Sequence, residues 1–138
     1  MTDRFEPPVS EHTKPFWDAT REHRLVLQHC RSDGLPVHYP REACPRCLGT
    51  ELDWREASGH GVVYAFTVNH VSGSVPTDRP PPFVVALVDL NEGARMMTNI
   101  VGCAPADVRV GMPVDVRWEP LSDGRALPVF APSSKGAS

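Results

Sequence analysis

The most constraining feature of the sequence is a pair of short turns that each carry two side chains able to bind a metal ion. The second turn runs from Cys44 to Cys47 with the sequence C-P-R-C, and two residues between the thiols allow both to bind one ion. The first turn starts at Cys30 and keeps this spacing, but Asp33 stands where a second cysteine would be. Two such turns are typical of a zinc ribbon, in which four side chains close around one structural zinc ion.

The ligand set of this ribbon leaves two interpretations open. We expect Cys30, Cys44 and Cys47 to bind a structural zinc ion with Asp33 as the fourth ligand, because carboxylate oxygen is an accepted zinc donor. The alternative is a metal-free ribbon held by packing alone. A catalytic zinc ion would need an open coordination position and a nearby base, and the sequence identifies no such base. A rubredoxin-like iron redox centre is disfavoured because it uses four thiolates.

Composition sets limits on the class of protein. A chain of 138 residues fits one compact domain, and its 15 prolines favour short strands and turns over long helices. No apolar run approaches the ~20 residues of a membrane span, and no export signal is recognised, so we expect a cytoplasmic protein without a membrane partner. In that compartment cysteines act as ligands or free thiols rather than as disulfides. The net charge of −3 gives no general attraction to nucleic acid.

The pattern of apolar residues predicts a mainly β chain with four parts. A flexible arm at 1–10 precedes a module at 11–57, which holds a short helix near Pro15 and then the ribbon. Residues 58–132 follow as a barrel domain, and 133–138 form a disordered tail. Five strands are predicted in the barrel, at residues 61–70, 83–90, 95–101, 113–119 and 126–130. Five strands without a long helix between them suit a small closed barrel, and the OB-fold is the leading choice.

Three details of side-chain placement are also expected. Val62, Tyr64, Phe66 and Val68 alternate and should share one face of their strand. The nearly continuous apolar run at 83–90 should be buried on both faces of the sheet. Core positions between helix and ribbon are predicted for three aromatic residues, namely Phe16, Trp17 and Tyr39.

Residues outside the ribbon offer weak candidates for chemistry. Cys103 lacks a local base and is predicted to be a small buried residue at a strand end rather than a nucleophile. Arg79 lies in a long proline-rich loop and is a candidate for contacting a CoA phosphate, although a solvated arginine is the preferred interpretation. His29 and His38 could replace Asp33 as a metal ligand only if the hairpin between the turns bends toward the ion.

The order of these motifs resembles one family, the acyl-CoA-associated OB-fold proteins with an N-terminal rubredoxin-like zinc ribbon. The resemblance covers about residues 11–132, and it lies in the set of motifs rather than in any single one. The matching segments are P-F-W at 15–17, R-L-V-L-Q at 24–28, Y-P-R at 39–41, C-P-R-C at 44–47, S-G-H-G-V-V-Y-A-F-T at 58–67, P-F-V-V-A-L-V at 82–88, N-I-V-G at 99–102 and D-V-R-V-G-M-P-V at 107–114.

The resemblance implies a helper protein rather than a catalyst. Members accompany thiolase-like acyl-CoA enzymes and enoyl-CoA hydratases, and some support retro-aldol cleavage of steroid side-chain CoA thioesters. It therefore predicts a non-catalytic subunit of a hetero-oligomer with a thiolase-like enzyme, with a possible acyl-CoA contact. The alternative is a single-stranded nucleic-acid-binding module, since OB-folds and zinc ribbons both occur in that role. The negative charge and the scarcity of clustered Lys and Arg argue against this alternative.

Overall fold

The computed structural model describes residues 7–70 and 81–133. Arg79, most of the predicted arm and most of the predicted tail lie outside these ranges. No helix in the described residues could span a membrane, since the longest has seven residues. The elements are α1 (Lys14–Thr20), β1 (Val26–Cys30), β2 (Pro36–Val37), β3 (Leu52–Glu56), β4 (His60–Asn69), β5 (Phe83–Leu90), β6 (Arg95–Ile100), a 3-10 turn (Pro105–Asp107), β7 (Pro113–Pro120) and β8 (Ala126–Pro132).

The ribbon is built on a three-stranded antiparallel sheet in the order β2-β1-β3. Strand β1 is central, and its five residues pair in register with all of β3, from Val26 opposite Glu56 to Cys30 opposite Leu52. Strand β3 was not predicted, because its alternating charged residues resemble a loop when they are taken alone. Its pairing with β1 fixes the position of Cys30 at the strand end, where the first metal-binding turn begins.

The remaining five strands close into a barrel in the order β4-β5-β6-β8-β7, with β7 pairing back to β4. The contact between β6 and β8 is parallel and rests on one pair, Ile100 with Phe130. Every other pairing in the barrel is antiparallel. A closed five-stranded barrel with this strand order agrees with the OB-fold that the sequence predicted.

One continuous core joins the helix to the barrel. Phe16 and Trp17 of α1 are buried with Leu27 of β1 against barrel residues that include Val88 and Phe130. The two aromatic rings meet edge to face at a centroid distance of 5.1 Å. The ribbon's own core is much smaller and consists of Cys30, Val37, Cys44 and the partly buried Leu52. The metal-binding turns therefore lie outside the main core and have little apolar packing of their own.

Buried polar groups at the junction of α1 and the barrel are hydrogen-bonded as well. The buried hydroxyl of Thr20 donates to the carbonyl of Trp17 at 2.6 Å and accepts from the Ala126 N–H of β8 at 3.1 Å. The buried guanidinium of Arg125 pairs with Asp123 and donates to the Pro7 carbonyl at 2.8 Å. These bonds attach the chain before α1 and the end of α1 itself to the last strand of the barrel.

Two expectations about strand faces were wrong. A β-bulge between Val63 and Ala65 inserts Tyr64 as an extra residue, and a bulge shifts the side-chain alternation of a strand. Val62 consequently pairs with Asp89 and is exposed, whereas Val68 packs against the core. In β5 only every second residue is fully buried, so one face of this strand packs inward and the other is only partly covered.

The expected core position of Tyr39 was also wrong. Phe16 and Trp17 are buried as expected, but Tyr39 is 52% exposed. Its ring packs on His38 with centroids 4.1 Å apart, and its hydroxyl oxygen accepts a hydrogen bond from the Met97 N–H of β6 at 3.1 Å. Tyr39 therefore bridges the ribbon and the barrel at the surface.

Candidate metal centre

The two metal-binding turns have the same backbone hydrogen bonds. In the first, the N–H of Gly34 donates to the Cys30 carbonyl at 2.8 Å; in the second, Leu48 donates in the same way to Cys44 at 2.8 Å. Each starting cysteine N–H also donates to a carbonyl five residues later, at Leu35 and Gly49 respectively. These hydrogen bonds join equivalent positions in the two turns, so position 33 corresponds to position 47.

The left-handed backbone after each ligand completes this equivalence. Gly34 has a φ of 73° and Leu48 a φ of 62°. Glycine adopts this conformation freely, whereas leucine adopts it at a cost. In both turns the chain thus reverses directly after the second ligand position, and the side chains of Asp33 and Cys47 lie in the same cluster. The shape of the ribbon is retained although Asp33 has replaced a cysteine.

The four predicted ligands lie together. Their donor atoms are all within 4.8 Å of one another, and among the described residues they form the one cluster of this kind. The Cys30 and Cys47 sulfurs are 3.6 Å apart, and the Cys44 sulfur is 3.5 Å from Oδ2 of Asp33. Tetrahedral zinc with ordinary bond lengths separates two sulfurs by about 3.8 Å and a sulfur and an oxygen by about 3.5 Å. The residues therefore fit a zinc ion, and neither His29 nor His38 joins the cluster.

Zinc binds thiolates, so the ionisation of the thiols matters for the centre. Burial works against ionisation of Cys44, but the backbone N–H groups of Cys47 and Arg46 donate toward its sulfur and lower the pKa of this thiol overall. The Gly49 N–H favours the Cys47 thiolate, yet the neighbouring thiols of Cys30 and Cys44 outweigh it and raise the pKa of Cys47. A bound zinc ion of charge +2 would favour the thiolate form of all three cysteines.

Asp33 is fixed in the ionised state. Both of its oxygens accept hydrogen bonds from Arg46, at 2.9 Å from Nε to Oδ2 and at 3.3 Å from Nη2 to Oδ1. The Leu35 N–H donates to Oδ1 at 2.9 Å. The Arg46 guanidinium and, after it, this N–H hold the pKa of the carboxyl well below its usual range. Sequence inspection did not identify this partner, although Arg46 lies between the two cysteines of the second turn.

A second concave site lies between α1, the ribbon and the barrel. This cleft has a volume of about 350 Å³ and an almost entirely apolar lining. Phe16 and Trp17 form its floor on the helix side, and Met96, Met97 and Leu127 come from the barrel. The sequence patterns did not indicate it, because its walls come from segments distant in the chain.

His38 lines this cleft, and burying its polar imidazole ring there costs free energy. Neither ring nitrogen has a hydrogen-bond partner among the described residues, and both are covered by neighbouring atoms. The ring lies between Tyr39, at 4.1 Å between centroids, and Phe16, at 6.2 Å. Burial lowers the pKa of His38 to about 4, because the charged imidazolium would lose its hydration without gaining a partner.

We expect this histidine to make stability depend on pH between about 6.5 and 4. The unfolded chain takes up the His38 proton near pH 6.5, and the folded chain takes it up only near pH 4. The unfolded state therefore binds more protons in this window, and the free energy of unfolding falls as the pH drops, by up to about 3 kcal/mol. Urea unfolding at several pH values should show a shallower decline for His38→Phe than for the wild type. His70→Gln, at an exposed histidine, should keep the wild-type slope. Equal slopes for wild type and His38→Phe would contradict the prediction.

The other candidates are placed as follows. Cys103 is partly buried against the core, and burial, followed by the charge of Asp107, raises the pKa of its thiol. A protonated thiol is a poor nucleophile, as the sequence led us to expect. Arg79 lies outside the described residues, so its contact with CoA stays a prediction.

Comparison with known proteins gives matches over most of the chain. Residues 17–53 match the model of the ChsH2 rubredoxin-like zinc ribbon domain, and residues 54–119 match that of the ChsH2 C-terminal OB-fold domain. A DUF35 domain-containing scaffold protein of Methanocaldococcus jannaschii is 41% identical over 103 residues, which are 72% of this chain and 70% of the relative. The zinc-ribbon match and the Cys/Asp cluster together support a structural zinc ion.

Two further relatives are named as enzyme subunits. A probable enoyl-CoA hydratase alpha subunit of Thermomonospora curvata is 38% identical over 133 residues, covering 91% of this chain. The 3-oxo-4,17-pregnadiene-20-carboxyl-CoA hydratase alpha subunit of Mycobacterium tuberculosis is 40% identical over 117 residues, covering 85%. The chain spans only 39% and 37% of the lengths of these two relatives.

Among solved structures, a chain of the Ltp2-ChsH2(DUF35) aldolase has the same architecture. It superimposes with a TM-score of 0.82 at 37% sequence identity, and the match covers 92% of this chain and 98% of that chain. The similarity therefore includes the ribbon, the helix and the barrel in one arrangement.

Proposed function

Because the chain belongs to the DUF35 family, in which a rubredoxin-like zinc ribbon precedes an OB-fold domain, we propose that it is a non-catalytic accessory subunit of a thiolase-like acyl-CoA enzyme. The observation that carries the proposal is the match, over nearly all of both chains, to a component of the Ltp2-ChsH2(DUF35) aldolase. The partner would be a thiolase or a retro-aldolase, with steroid side-chain CoA thioesters as one candidate substrate class. The chain would support the assembly and substrate binding of that partner.

The donor chemistry of the ribbon cluster supports a structural role for this part of the chain. In the described residues the cluster of metal-binding donors lies in the ribbon, and its three thiols and one carboxylate supply the four donors that a closed structural zinc site needs. We assign Cys30, Cys44, Cys47 and Asp33 as its ligands and regard the zinc as structural. Its role is to hold the ribbon, which has only a small core of its own, against the barrel.

A patch on the outer wall of the barrel has the composition of a docking surface. Around a shallow depression of about 210 Å³ on β4, β5 and β6 lie residues that include Val85, Leu87 and Met97. Leu87 and Met97 are cross-strand neighbours, and Met97 is 60% exposed. Met and aromatic residues are enriched in protein interfaces, and charged residues are depleted from their centres. We propose that the thiolase-like enzyme covers this β4–β6 patch.

The apolar cleft is the proposed place of acyl-CoA contact. Met97 lines both the β4–β6 patch and the cleft, so an enzyme seated on the patch would also border the cleft. Apolar walls of this kind suit an acyl chain or ring system rather than a phosphate. The substrate would then lie between the two proteins, with its reacting carbonyl on the side of the enzyme.

We expect Met97→Glu to weaken docking at least tenfold without unfolding the chain. A carboxylate at the centre of an apolar interface loses its hydration on binding and gains no partner. The experiment is co-purification of the chain with a tagged thiolase-like acyl-CoA enzyme from the same organism, followed by an activity assay and titration of the two purified proteins. Val110→Glu is the matched control, because Val110 is 67% exposed and lies outside the patch.

The outcomes distinguish whether the chain binds the enzyme at all from whether it binds through the β4–β6 patch. A complex formed equally by wild type and Met97→Glu would move the interface away from the patch. An enzyme that is fully active and stable alone, and that forms no complex with the wild-type chain, would refute the accessory role. In that case a salt-sensitive gel shift with single-stranded RNA or DNA would test the nucleic-acid-binding alternative.

A further inference from the structure

The second metal-binding turn carries an arginine that is not a metal ligand but contacts one. Arg46 lies between Cys44 and Cys47, yet its guanidinium crosses to the first turn and meets Asp33. The same Nη2 also lies 3.4 Å from the carbonyl of Leu35. Arg46 therefore joins the two halves of the ribbon through the one ligand position that is not a cysteine.

The contact fixes the carboxylate in a particular way. Oδ1 is occupied by the Leu35 N–H and by Nη2 of Arg46, which leaves Oδ2 as the oxygen facing the Cys44 sulfur at 3.5 Å. Nε of Arg46 uses one lone pair of Oδ2, and a carboxylate oxygen has a second lone pair available. Without the fork of Arg46, the Leu35 N–H would hold Oδ1 alone, and the carboxylate could rotate about that one bond and carry Oδ2 away from the ligand position.

Charge adds a second reason for the pairing. Three thiolates and one carboxylate carry four negative charges, and a zinc ion neutralises two of them. The Arg46 guanidinium forms an ion pair with Asp33 and interacts favourably with negative charge on Cys44 and Cys30, so it offsets part of the excess. Groups that hydrogen-bond to a metal ligand orient that ligand and typically change metal affinity 10–100-fold. A cysteine at position 33 would need no such orientation, because a thiolate offers a single donor atom.

We propose that Arg46 is the positioning residue that makes Asp33 a functional fourth ligand of the zinc ion. The proposal rests on the ligand set assigned above. It does not depend on the accessory role, since zinc affinity is measured on the isolated chain.

The test is a double-mutant cycle in zinc affinity. Competition with a chromogenic chelator should show Arg46→Gln binding zinc about 10–100-fold more weakly than the wild type. Asp33→Ala should lose at least as much, and adding Arg46→Gln to Asp33→Ala should cause little further loss, because Arg46 then has no carboxylate to hold. Arg46→Lys keeps the charge without the fork and should stay closer to Arg46→Gln than to the wild type.

A matched control and a spectroscopic readout make the test specific. Arg31 follows Cys30 directly, but its partner is Asp53, which is not a ligand, so Arg31→Gln should bind zinc as the wild type does. The absorption spectrum of the cobalt-substituted chain reports the donor set and should change with Asp33→Ala. Wild-type or tighter zinc binding by Arg46→Gln, full additivity in the cycle, or unchanged zinc binding and cobalt spectrum in Asp33→Ala would each overturn the proposal.

Discussion

Cys47→Ser is expected to abolish stable zinc binding, whereas Cys103→Ser keeps one zinc ion per chain. Cys47 is exposed and contributes little packing, so its replacement tests ligation and not the core. Loss of a direct ligand should weaken zinc binding by more than the roughly 10–100-fold that is typical of an outer partner. Metal analysis after dialysis against a chelator gives the readout. Cys103 is the matched control, because it is a cysteine outside the cluster.

The loss of zinc should also destabilise the ribbon. Binding of a structural metal contributes directly to folding, and this ribbon has only four residues in its own apolar cluster. We expect Cys47→Ser to unfold at a lower temperature and to expose the segment around Val37 to protease. Cys44→Ser should have a larger effect, since Cys44 is fully buried as well as placed at the metal centre. A Cys47→Ser variant that retains one zinc ion would exclude Cys47 from the ligand set.

Phe130→Ala should cost about 3–5 kcal/mol of unfolding free energy, since it removes a large, fully buried side chain. Phe130 lies in β8 at the parallel junction with β6, where the barrel closes through a single residue pair. The cavity would therefore form at the strand contact of the barrel that has the fewest residue pairs. Small domains are stable by about 5–15 kcal/mol in total, so this loss is a large fraction of the whole.

Urea denaturation of wild type and variant gives the measurement for this second prediction. Phe66→Ala is the matched control, because it makes the same chemical change at an exposed position of the barrel. We expect Phe66→Ala to cost clearly less than Phe130→Ala, because Phe66 is 36% exposed and Phe130 is fully buried. If the two variants were equally stable, the closure of the barrel around Phe130 would have to be revised.

Local periodicity was enough to predict most of the barrel. Each of its five strands overlaps a segment whose apolar residues alternate or run continuously between glycine or proline turns. Strand β3 escaped detection because its residues are as polar as those of a loop, and pairing with β1 is what makes it a strand. The faces of β4 could not be predicted either, since a bulge at Tyr64 leaves no mark in a pattern of alternating apolar residues.

The candidate metal centre was predictable as a ligand set but not as a geometry. Spacing alone placed Cys30 and Asp33 in one turn and the C-P-R-C cysteines in the other. It could not show that both turns share one hydrogen-bond scheme, which makes Asp33 the structural equivalent of Cys47. The ion pair of Asp33 with Arg46 joins residues 13 positions apart and has no sequence signature.

The sequence by itself determined the family, the fold class and the four residues that could meet a zinc ion, because turns and strand periods are encoded by neighbouring residues. Tertiary structure decided which surfaces are left for function. The apolar cleft and the β4–β6 patch arise where α1, the ribbon and the barrel strands come together. The exposure of Tyr39, the unpaired burial of His38 and the reach of Arg46 to Asp33 likewise depend on contacts between distant segments. Such contacts are set by packing and chain closure, which no local pattern of residues records.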